Sequence, residues 1–468
     1  MAQRIRNWLR SKDRRQGPDG TTFPPELWSE IISTYLTLEE IRALSECSKF
    51  LRNISIPFLF KTFTVHPVVT YPDDWLAVIR RTLHRPPPLQ IPNHIAQVIE
   101  NVAIIPYDMP QRHDGTQTDR IFELLTTLPK LRHLVCNRVH FTQDLLNKLV
   151  HLPLKRLELS DSVMPSAPIT VKIAGTLESV KLSFLEGPGQ PPEQGRISFT
   201  RVLLRDSPNL ASMHLSDDVT FPMIVTTPPP SLTSLNVWAE YISAVNFVDV
   251  LMACPSLRSI SFSGCAYYIG TSGTGNLILP PGALPKLERY GGPFDIFPSF
   301  TNNRPTVKEM YLVCPYGFDS HSPPIPTIPT SIESVTWNLL SLDSVFSLLH
   351  PSLASESLTR LTIISPEWSL DRLPRLLSSN LVPLPNIRHI TLKSVYDVTQ
   401  SDSRSELNQI LQESLPALLQ VYPNLEEARI IPADNRWKSE SAMVWRRSTR
   451  SSGWLKSIDI AIDAWWRD

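Results

Sequence analysis

Apolar and polar residues recur along most of this chain in one pattern, apolar-x-x-apolar-x-apolar, usually preceded by a proline and one further residue. Copies stand at Leu131-x-x-Leu134, Leu154-x-x-Leu157-x-Leu159, Leu177-x-x-Val180-x-Leu182, Leu210-x-x-Met213-x-Leu215 and Leu232-x-x-Leu235-x-Val237. Others follow at Leu257-x-x-Ile260-x-Phe262, Val307-x-x-Met310-x-Leu312, Ile332-x-x-Val335-x-Trp337, Leu358-x-x-Leu361-x-Ile363 and Ile387-x-x-Ile390-x-Leu392. The series ends at Leu425-x-x-Ala428-x-Ile430 and Leu455-x-x-Ile458-x-Ile460, with weaker copies at Ile99-x-x-Val102-x-Ile104 and Leu287-x-x-Tyr290. Within each copy the last two apolar positions alternate with polar ones, which predicts a short strand with one buried face. Helical spacing appears between copies, over 120–128, 142–152, 197–206, 247–253, 342–350, 370–379 and 406–421.

Start-to-start spacings of 23 (Leu131 to Leu154 and Leu154 to Leu177), 22 (Leu210 to Leu232) and 25 (Leu232 to Leu257) lie in the window of leucine-rich repeats, roughly 20–29 residues. A strand, a return helix and the next strand at so short a period make a right-handed coil, and no unit can bury its own face alone. The expected fold class is therefore α/β: a right-handed leucine-rich-repeat-like solenoid with a curved parallel sheet inside and helices outside. About 14 strands at ~4.8 Å spacing give an inner sheet roughly 60 Å long, enough to hold a folded partner. The repeat is irregular, with Ser162, Asp218 and Cys265 at the consensus Asn/Cys position.

Polar residues flanking the middle apolar position should face outward from the sheet. They include Arg156 and Glu158, Ser179 and Lys181, Ser212 and His214, Ser234 and Asn236, Ser259 and Ser261, Glu309 and Tyr311. Ser334 and Thr336, Arg360 and Thr362, His389 and Thr391, and Glu427 and Arg429 continue the series. Arg156, Glu158, His214, Asn236, Tyr311 and Arg360 are the candidate target-binding residues. The centre is rich in hydroxyls. No arginine cluster stands out, which disfavours phosphopeptide reading, since bidentate guanidinium contacts carry that recognition.

The first 65 residues follow another pattern. Phe23-Pro24-Pro25-Glu26-Leu27-Trp28 opens a helix, because proline suits the first turn and Glu26 complements the dipole. Leu27, Ile31 and Tyr35 share one face, with Trp28 and Ile32 beside them. Thr37 and Glu40 form a capping box for a second helix burying Leu38, Ile41 and Leu44. A third, from about Cys47 to Phe60, offers Phe50, Leu51, Ile54, Phe58, Leu59 and Phe60. Some 40 residues with this much apolar surface cannot hide it all internally, and an exposed apolar patch marks an interface.

The order Phe23-Pro24-x-Glu26-Leu27-Trp28-x-x-Ile31, Leu38-x-x-Ile41-x-x-Leu44, Cys47-Ser48-Lys49-Phe50, Phe58-Leu59-Phe60-Lys61 resembles the F-box. The family's usual Asp-Leu pair is Glu40-Ile41 here. The resemblance, to F-box proteins with degenerate leucine-rich repeats of the fungal type, implies binding to the Skp-type adaptor of cullin-based ubiquitin ligases. It implies an adaptor-binding set of Pro24, Leu27, Trp28, Ile31, Ile32, Leu38, Ile41, Leu44, Phe50, Phe58 and Phe60.

The chain has 468 residues with 45 Lys+Arg against 45 Asp+Glu, which argues against nucleic acid or an anionic membrane as a dominant partner. Proline is frequent (44) and glycine scarce (16), as expected of many short elements with sharp entries. Five dispersed cysteines without a CxxC fit neither a disulfide framework nor a zinc site and favour a reducing compartment. The charged start lacks a signal-peptide core, and no apolar run reaches ~18 residues, so a cytoplasmic or nuclear location is expected. Gly270-Thr-Ser-Gly-Thr-Gly275 lacks the Lys-Ser/Thr of a phosphate cradle. Neither HExxH nor a complete GxSxG occurs. No cofactor, metal or catalytic residue is therefore expected.

The expected domains are a disordered basic tail (1–20), the F-box (21–65), a proline-rich connector (66–93) and the solenoid (94–468). The expected function is a substrate-recognition subunit of a cullin-type (SCF) ubiquitin ligase, the F-box holding the adaptor and the solenoid a target protein. The alternative is a non-catalytic leucine-rich-repeat scaffold outside ubiquitination.

Overall fold

The computed structural model describes residues 25–36, 38–65, 91–105, 115–169, 172, 175–184, 193–216, 221–238, 244–263 and 279–280. It also describes 282–293, 297–301, 306–313, 328–338, 353–365, 383–397, 416–433, 440–447 and 454–461. They form two compact units, 1–210 and 211–468, a division that falls inside the span predicted as one solenoid.

The first unit opens with three helices, α1 (Pro25–Tyr35), α2 (Leu38–Cys47) and α3 (Lys49–Leu59). Ser48 caps α3, its Oγ accepting from the Leu51 N–H at 3.1 Å, which satisfies one of the donors a helix start leaves orphaned. Trp28, Ile32, Ile41, Leu44 and Leu51 close a small core, with Leu36, Phe50, Ile54, Phe58 and Leu59 packed around it. Five parallel strands follow: β1 (Thr62–Val65), β2 (Asn101–Ile104), β3 (His133–Asn137), β4 (Arg156–Ser162) and β5 (Ser179–Phe184), paired in sequence order. The helices α4 (Asn93–Ala96), α5 (Gly115–Leu125), α6 (Gln143–Leu149) and α7 (Glu193–Asp206) complete the unit. Lys148 on α6 ties the return helices together, meeting Asp119 and Glu123 of α5 at 3.5 and 3.6 Å and Asp144 at 3.2 Å.

The second unit continues the same grammar. Its parallel strands are β6 (Ser212–Leu215), β7 (Ser234–Trp238), β8 (Ser259–Ser263), β9 (Arg289–Pro293), β10 (Glu309–Val313), β11 (Ser334–Asn338), β12 (Arg360–Ser365), β13 (His389–Asp397) and β14 (Glu427–Ala433). Between them lie α8 (Phe221–Thr226), α9 (Ala244–Ala253), α10 (Phe297–Thr301) and a helical stretch over 416–421.

The proline that precedes most copies now has a structural reason. The N–H of the copy's first apolar residue donates to the carbonyl three residues back: Leu131 to Leu128, Leu210 to Ser207, Leu257 to Cys254, Leu287 to Leu284, Ile387 to Leu384 and Leu425 to Tyr422. Each is a tight turn, and Pro129, Pro208, Pro255, Pro285, Pro385 and Pro423 occupy its second position, where a fixed φ near −65° costs nothing. The turn drops the first apolar side chain into the core and releases the chain into a strand. Leu134, Leu157, Val180, Met213, Leu235, Ile260, Val335 and their partners two residues on are then buried, each at 3% exposure or less.

Three differences from the expectation are physical. The sheet starts at β1 rather than after residue 94, since Thr62 to Val65 pairs in parallel with Asn101 to Ile104; Phe60-x-x-Phe63-x-Val65 fits the apolar pattern but has no leucine and no preceding proline, and it overlaps the end of the helical module. The copy at Leu455-x-x-Ile458-x-Ile460 is not a parallel repeat. β15 (Glu440–Arg447) pairs antiparallel to β14, and β16 (Trp454–Ala461) antiparallel to β15. Six residues separate β14 from β15 and six separate β15 from β16, whereas a parallel crossover needs about a dozen. Finally, the capping residue Thr37, the helices over 342–350 and 370–379, the connector to residue 90, the 1–20 tail and the Gly270–Gly275 segment lie outside the described residues.

Candidate protein-interaction surfaces

Two surfaces stand out, one on the helical module and one on the open face of the strands. In the module, helical spacing divides the predicted adaptor set by depth. Trp28, Ile32, Ile41 and Leu44 are buried in the module's own core, which corrects their assignment as contact residues: a side chain at 6% exposure or less holds the three helices together and has no surface to offer. Leu27 is 44% exposed and Phe60 36%. Ile31, Phe50 and Phe58 are half-buried at the rim. Pro24 and the Leu38 side chain lie outside the described residues. The expectation that these residues cannot all be hidden holds for a smaller group than the sequence suggested, because ten side chains pack into or against one core.

On the strands, the alternation places the predicted polar residues on the face opposite the core. In the first unit, Arg156 and Glu158 lie on β4, and Glu158 Oε1 meets His133 Nε2 at 3.0 Å and Arg156 Nε at 2.9 Å. The His133 hydrogen bond holds the Glu158 carboxyl below its ordinary range against the opposing effect of burial, and Arg156 and Lys181 add to it. In the second unit, His214 and Asn236 are register partners on β6 and β7, and Ser212, Ser234 and Ser259 form a parallel row beside them. Tyr311 on β10 accepts a hydrogen bond from Asn338 Nδ2 at 2.8 Å, and burial pushes its pKa up. Arg360 on β12 reaches Glu309 Oε1 at 3.4 Å.

Three residues on this face escaped the sequence reading. Arg289 stands at the first outward position of the weak copy at Leu287, and meets Glu309 Oε2 at 3.0 Å. Lys393 extends the outward alternation of β13 by one more step. Arg446 lies on β15, opposite Glu427, and meets its Oε2 at 2.8 Å. The signal for Arg289 was present, since it occupies the same offset as Ser259 and Glu309. Arg446 gave none, because no leucine-rich copy precedes it.

A second row of charge runs along the residue just before many of the strands. In the first unit Lys61 pairs with Glu100 (3.3 Å) and Lys155 with Glu178 (2.5 Å). In the second unit Arg258 pairs with Glu288 (2.9 Å), Lys308 with Glu333 (2.9 Å) and Arg388 with Glu426 (3.3 Å). Exposed pairs of this kind stabilise little, so the row mainly disfavours pairings out of register. Among the described residues no three His, Cys, Asp or Glu side chains converge as a metal site, and no helix is long and apolar enough to cross a membrane. Cys136 and Cys254 are buried, and burial raises both thiols, Cys254 to about 11.

No family model matches the chain, and no curated protein sequence matches it. Among solved structures, the crystal structure of a TLR13–ssRNA13 complex is similar at 13% identity and a TM-score of 0.26, over 74% of this chain and 43% of that one. The chain thus spans less than half the length of that neighbour. Each unit is a leucine-rich-repeat-like run of parallel strands, and three helices open the first.

Proposed function

We propose that the chain is the substrate-recognition subunit of a cullin-type ubiquitin ligase, in which the three-helix module binds a Skp-type adaptor and the open strand face binds a target protein. The observation that carries the reading is the exposure of Leu27, 44%, on a helix whose neighbouring Trp28 and Ile32 close a separate core. Leu27 is supported by exposed Phe60 and half-buried Ile31, Phe50 and Phe58 of the same module, apolar surface of the kind that interfaces use, and the F-box order of motifs supplies the class of partner. Ile31 and Phe60 extend the contact. The chain brings a target near the transferring enzyme, and that proximity is its contribution.

The test is co-purification of the full chain with a Skp-type adaptor. Leu27→Asp removes an aliphatic contact worth ~1.5–3 kcal/mol and buries a charge in its place, so retention should fall at least tenfold while thermal melting stays where it was. Equal retention by wild type and Leu27→Asp would overturn the reading. A second reading, a scaffold outside ubiquitination, is favoured by the strand face being formed without residues of the module. Adaptor recovered without cullin would support it.

A further inference from the structure

The return helices of the two units differ in charge. In the first unit α5 carries Asp119, Arg120 and Glu123, α6 carries Asp144 and Lys148, and α7 a further five charged residues. In the second unit α8, α9 and α10 carry Asp249 and no other charged residue, and the helical stretch over 416–421 carries none. α9 is the extreme case: of Ala244-Val-Asn-Phe-Val-Asp-Val-Leu-Met-Ala253, just Asn246 and Asp249 are polar. A helix that is apolar around most of its circumference belongs inside a protein rather than in its outer layer.

Yet α9 is only partly inside. Val250 and Leu251 are fully buried, whereas Met252 is 47% exposed, Asp249 is exposed and Val248 is half-buried. Val248 and Asp249 precede Met252 by four and three residues, so the three share one face. α8 packs against α9. It buries Ile224 and leaves Val225 37% exposed, with Thr226 exposed and Met223 half-buried beside it. Among the described residues, the exposed large apolar side chains are Leu27 and Phe60 in the helical module and Val225 and Met252 here. A lone exposed aliphatic is ordinary, but two on adjoining helices almost without charge match the composition of an interface core.

Charge then selects the partner. From residue 211 to 257 the chain carries Asp217, Asp218, Glu240 and Asp249 and neither Lys nor Arg, and the next base, Arg258, is held by Glu288 at 2.9 Å. We infer that the α8–α9 surface docks an amphipathic helix of a partner protein, apolar on one side and rich in Lys and Arg beside it. Parallel strands make successive return helices run the same way, so α8 and α9 offer a seam along which a third helix can pack its ridges. Unbranched, polarisable methionines such as Met252 suit a surface of this kind. An anionic membrane is disfavoured by the same acids. A two-fold contact with a second copy would set acid against acid.

This surface is separate from the adaptor contact and from the open strand face, and the inference needs neither. The experiment uses the purified full chain and a fluorescent amphipathic peptide of about 18 residues, long enough to hold a helix on a surface, with Leu along one face and Lys on the rest. A scrambled peptide of the same composition, a version with Glu for each Lys, and vesicles of neutral phosphatidylcholine complete the probes. The basic amphipathic peptide should bind, weaken with added salt, and lose about tenfold in affinity to Val225→Thr/Met252→Gln, which removes apolar contact without touching the core. Asp249→Lys should also weaken it and reduce its salt dependence. Leu27→Asp in the module and Arg360→Gln on the open face should leave it unchanged. Absence of binding overturns the inference, as does equally tight binding of the scrambled or acidic peptide. Binding that is lost to Leu27→Asp or Arg360→Gln overturns it too, as does chain held by the vesicles and released by Met252→Gln. A full chain that elutes as a dimer and turns monomeric on Met252→Gln would assign the surface to a second copy and overturn it. Adaptor retention by the Val225→Thr/Met252→Gln chain should equal wild type, which keeps a failure here distinct from a failure of the adaptor contact.

Discussion

Glu158 sits on β4 with His133 at 3.0 Å on one side and Arg156 at 2.9 Å on the other. Its carboxyl is held below the ordinary value of 4.5, first by the His133 hydrogen bond and further by Arg156 and Lys181, against its burial. In the window below 4.5 the folded chain therefore binds fewer protons than the unfolded one. The stabilisation is fully present above that value and is lost as pH falls through the depressed folded one. Glu158→Gln should flatten this acid limb: denaturant midpoints taken between about pH 5 and 3 should fall more steeply in wild type than in the variant. Parallel slopes would show that the charge contributes nothing to the fold. At this scale the sequence was informative about which residues face outward and silent about how deep they lie. Period two separates Glu158 from Leu157 and Leu159, and helical period groups Leu27 with Ile31 and Trp28 with Ile32 without telling which pair is buried. Leu27 and Trp28 are neighbours of similar hydrophobicity, and only the packing of α2 and α3 decides that one is buried and the other is not.

At the scale of elements the strands were legible because two independent signals coincide, a Pro-led turn and a two-residue alternation. Where one fails, so did the reading. The weak copy at Leu287-x-x-Tyr290 lacks its third apolar residue because Gly292 takes that position. Phe262 of the preceding strand fills the space, and a Cβ on Gly292 would stand 2.7 Å from the Phe262 ring. The Tyr290 ring packs between Phe262 at 6.2 Å, Phe297 at 6.0 Å and Phe300 at 4.9 Å, so an aromatic cluster replaces the aliphatic rung. Gly292 also has φ of +156°, a conformation open to glycine and costly for other residues. Gly292→Ala should thus destabilise by about 1–3 kcal/mol through overpacking and backbone strain. Chemical denaturation of the two chains would show it as a lower midpoint at unchanged slope, and an unaltered midpoint would mean that the cluster yields freely. β1 and β15 were missed for the complementary reason. Thr62 to Val65 and Glu440 to Arg447 have no Pro-led turn and no leading leucine, and their place in the sheet is set by the strand beside them.

A stacked array of repeats is close to one-dimensional: each strand is stabilised by its neighbours, and the last one needs a cap. In the second unit the parallel run ends at β14, and the antiparallel pair β15 and β16 follows, with Glu427 to Ile430 pairing against Arg446 to Met443. Val444 is fully buried and clusters with Ile431, and Trp445 is 3% exposed. The hairpin therefore covers the β14 edge, shifts the outer edge of the described strands to β16, and buries the apolar end of the run, and its Arg446 completes the guanidinium pair around Glu427. Loss of 434–468 should leave β14 as an open edge with Ile431 uncovered, a template for association with other copies. A chain ending at Ala433 is expected to elute as oligomers or aggregates under conditions where the full chain is monodisperse, and to melt at lower temperature. The milder variant Val444→Asp, which keeps the backbone and places a charge at a buried site, should give the same direction of change with the edge still paired. Should the truncated chain elute as a single species and melt with the full one, the hairpin would be a decoration on a run that ends stably by itself. Its antiparallel register, which no leucine-rich copy announced, would then need a different explanation from capping.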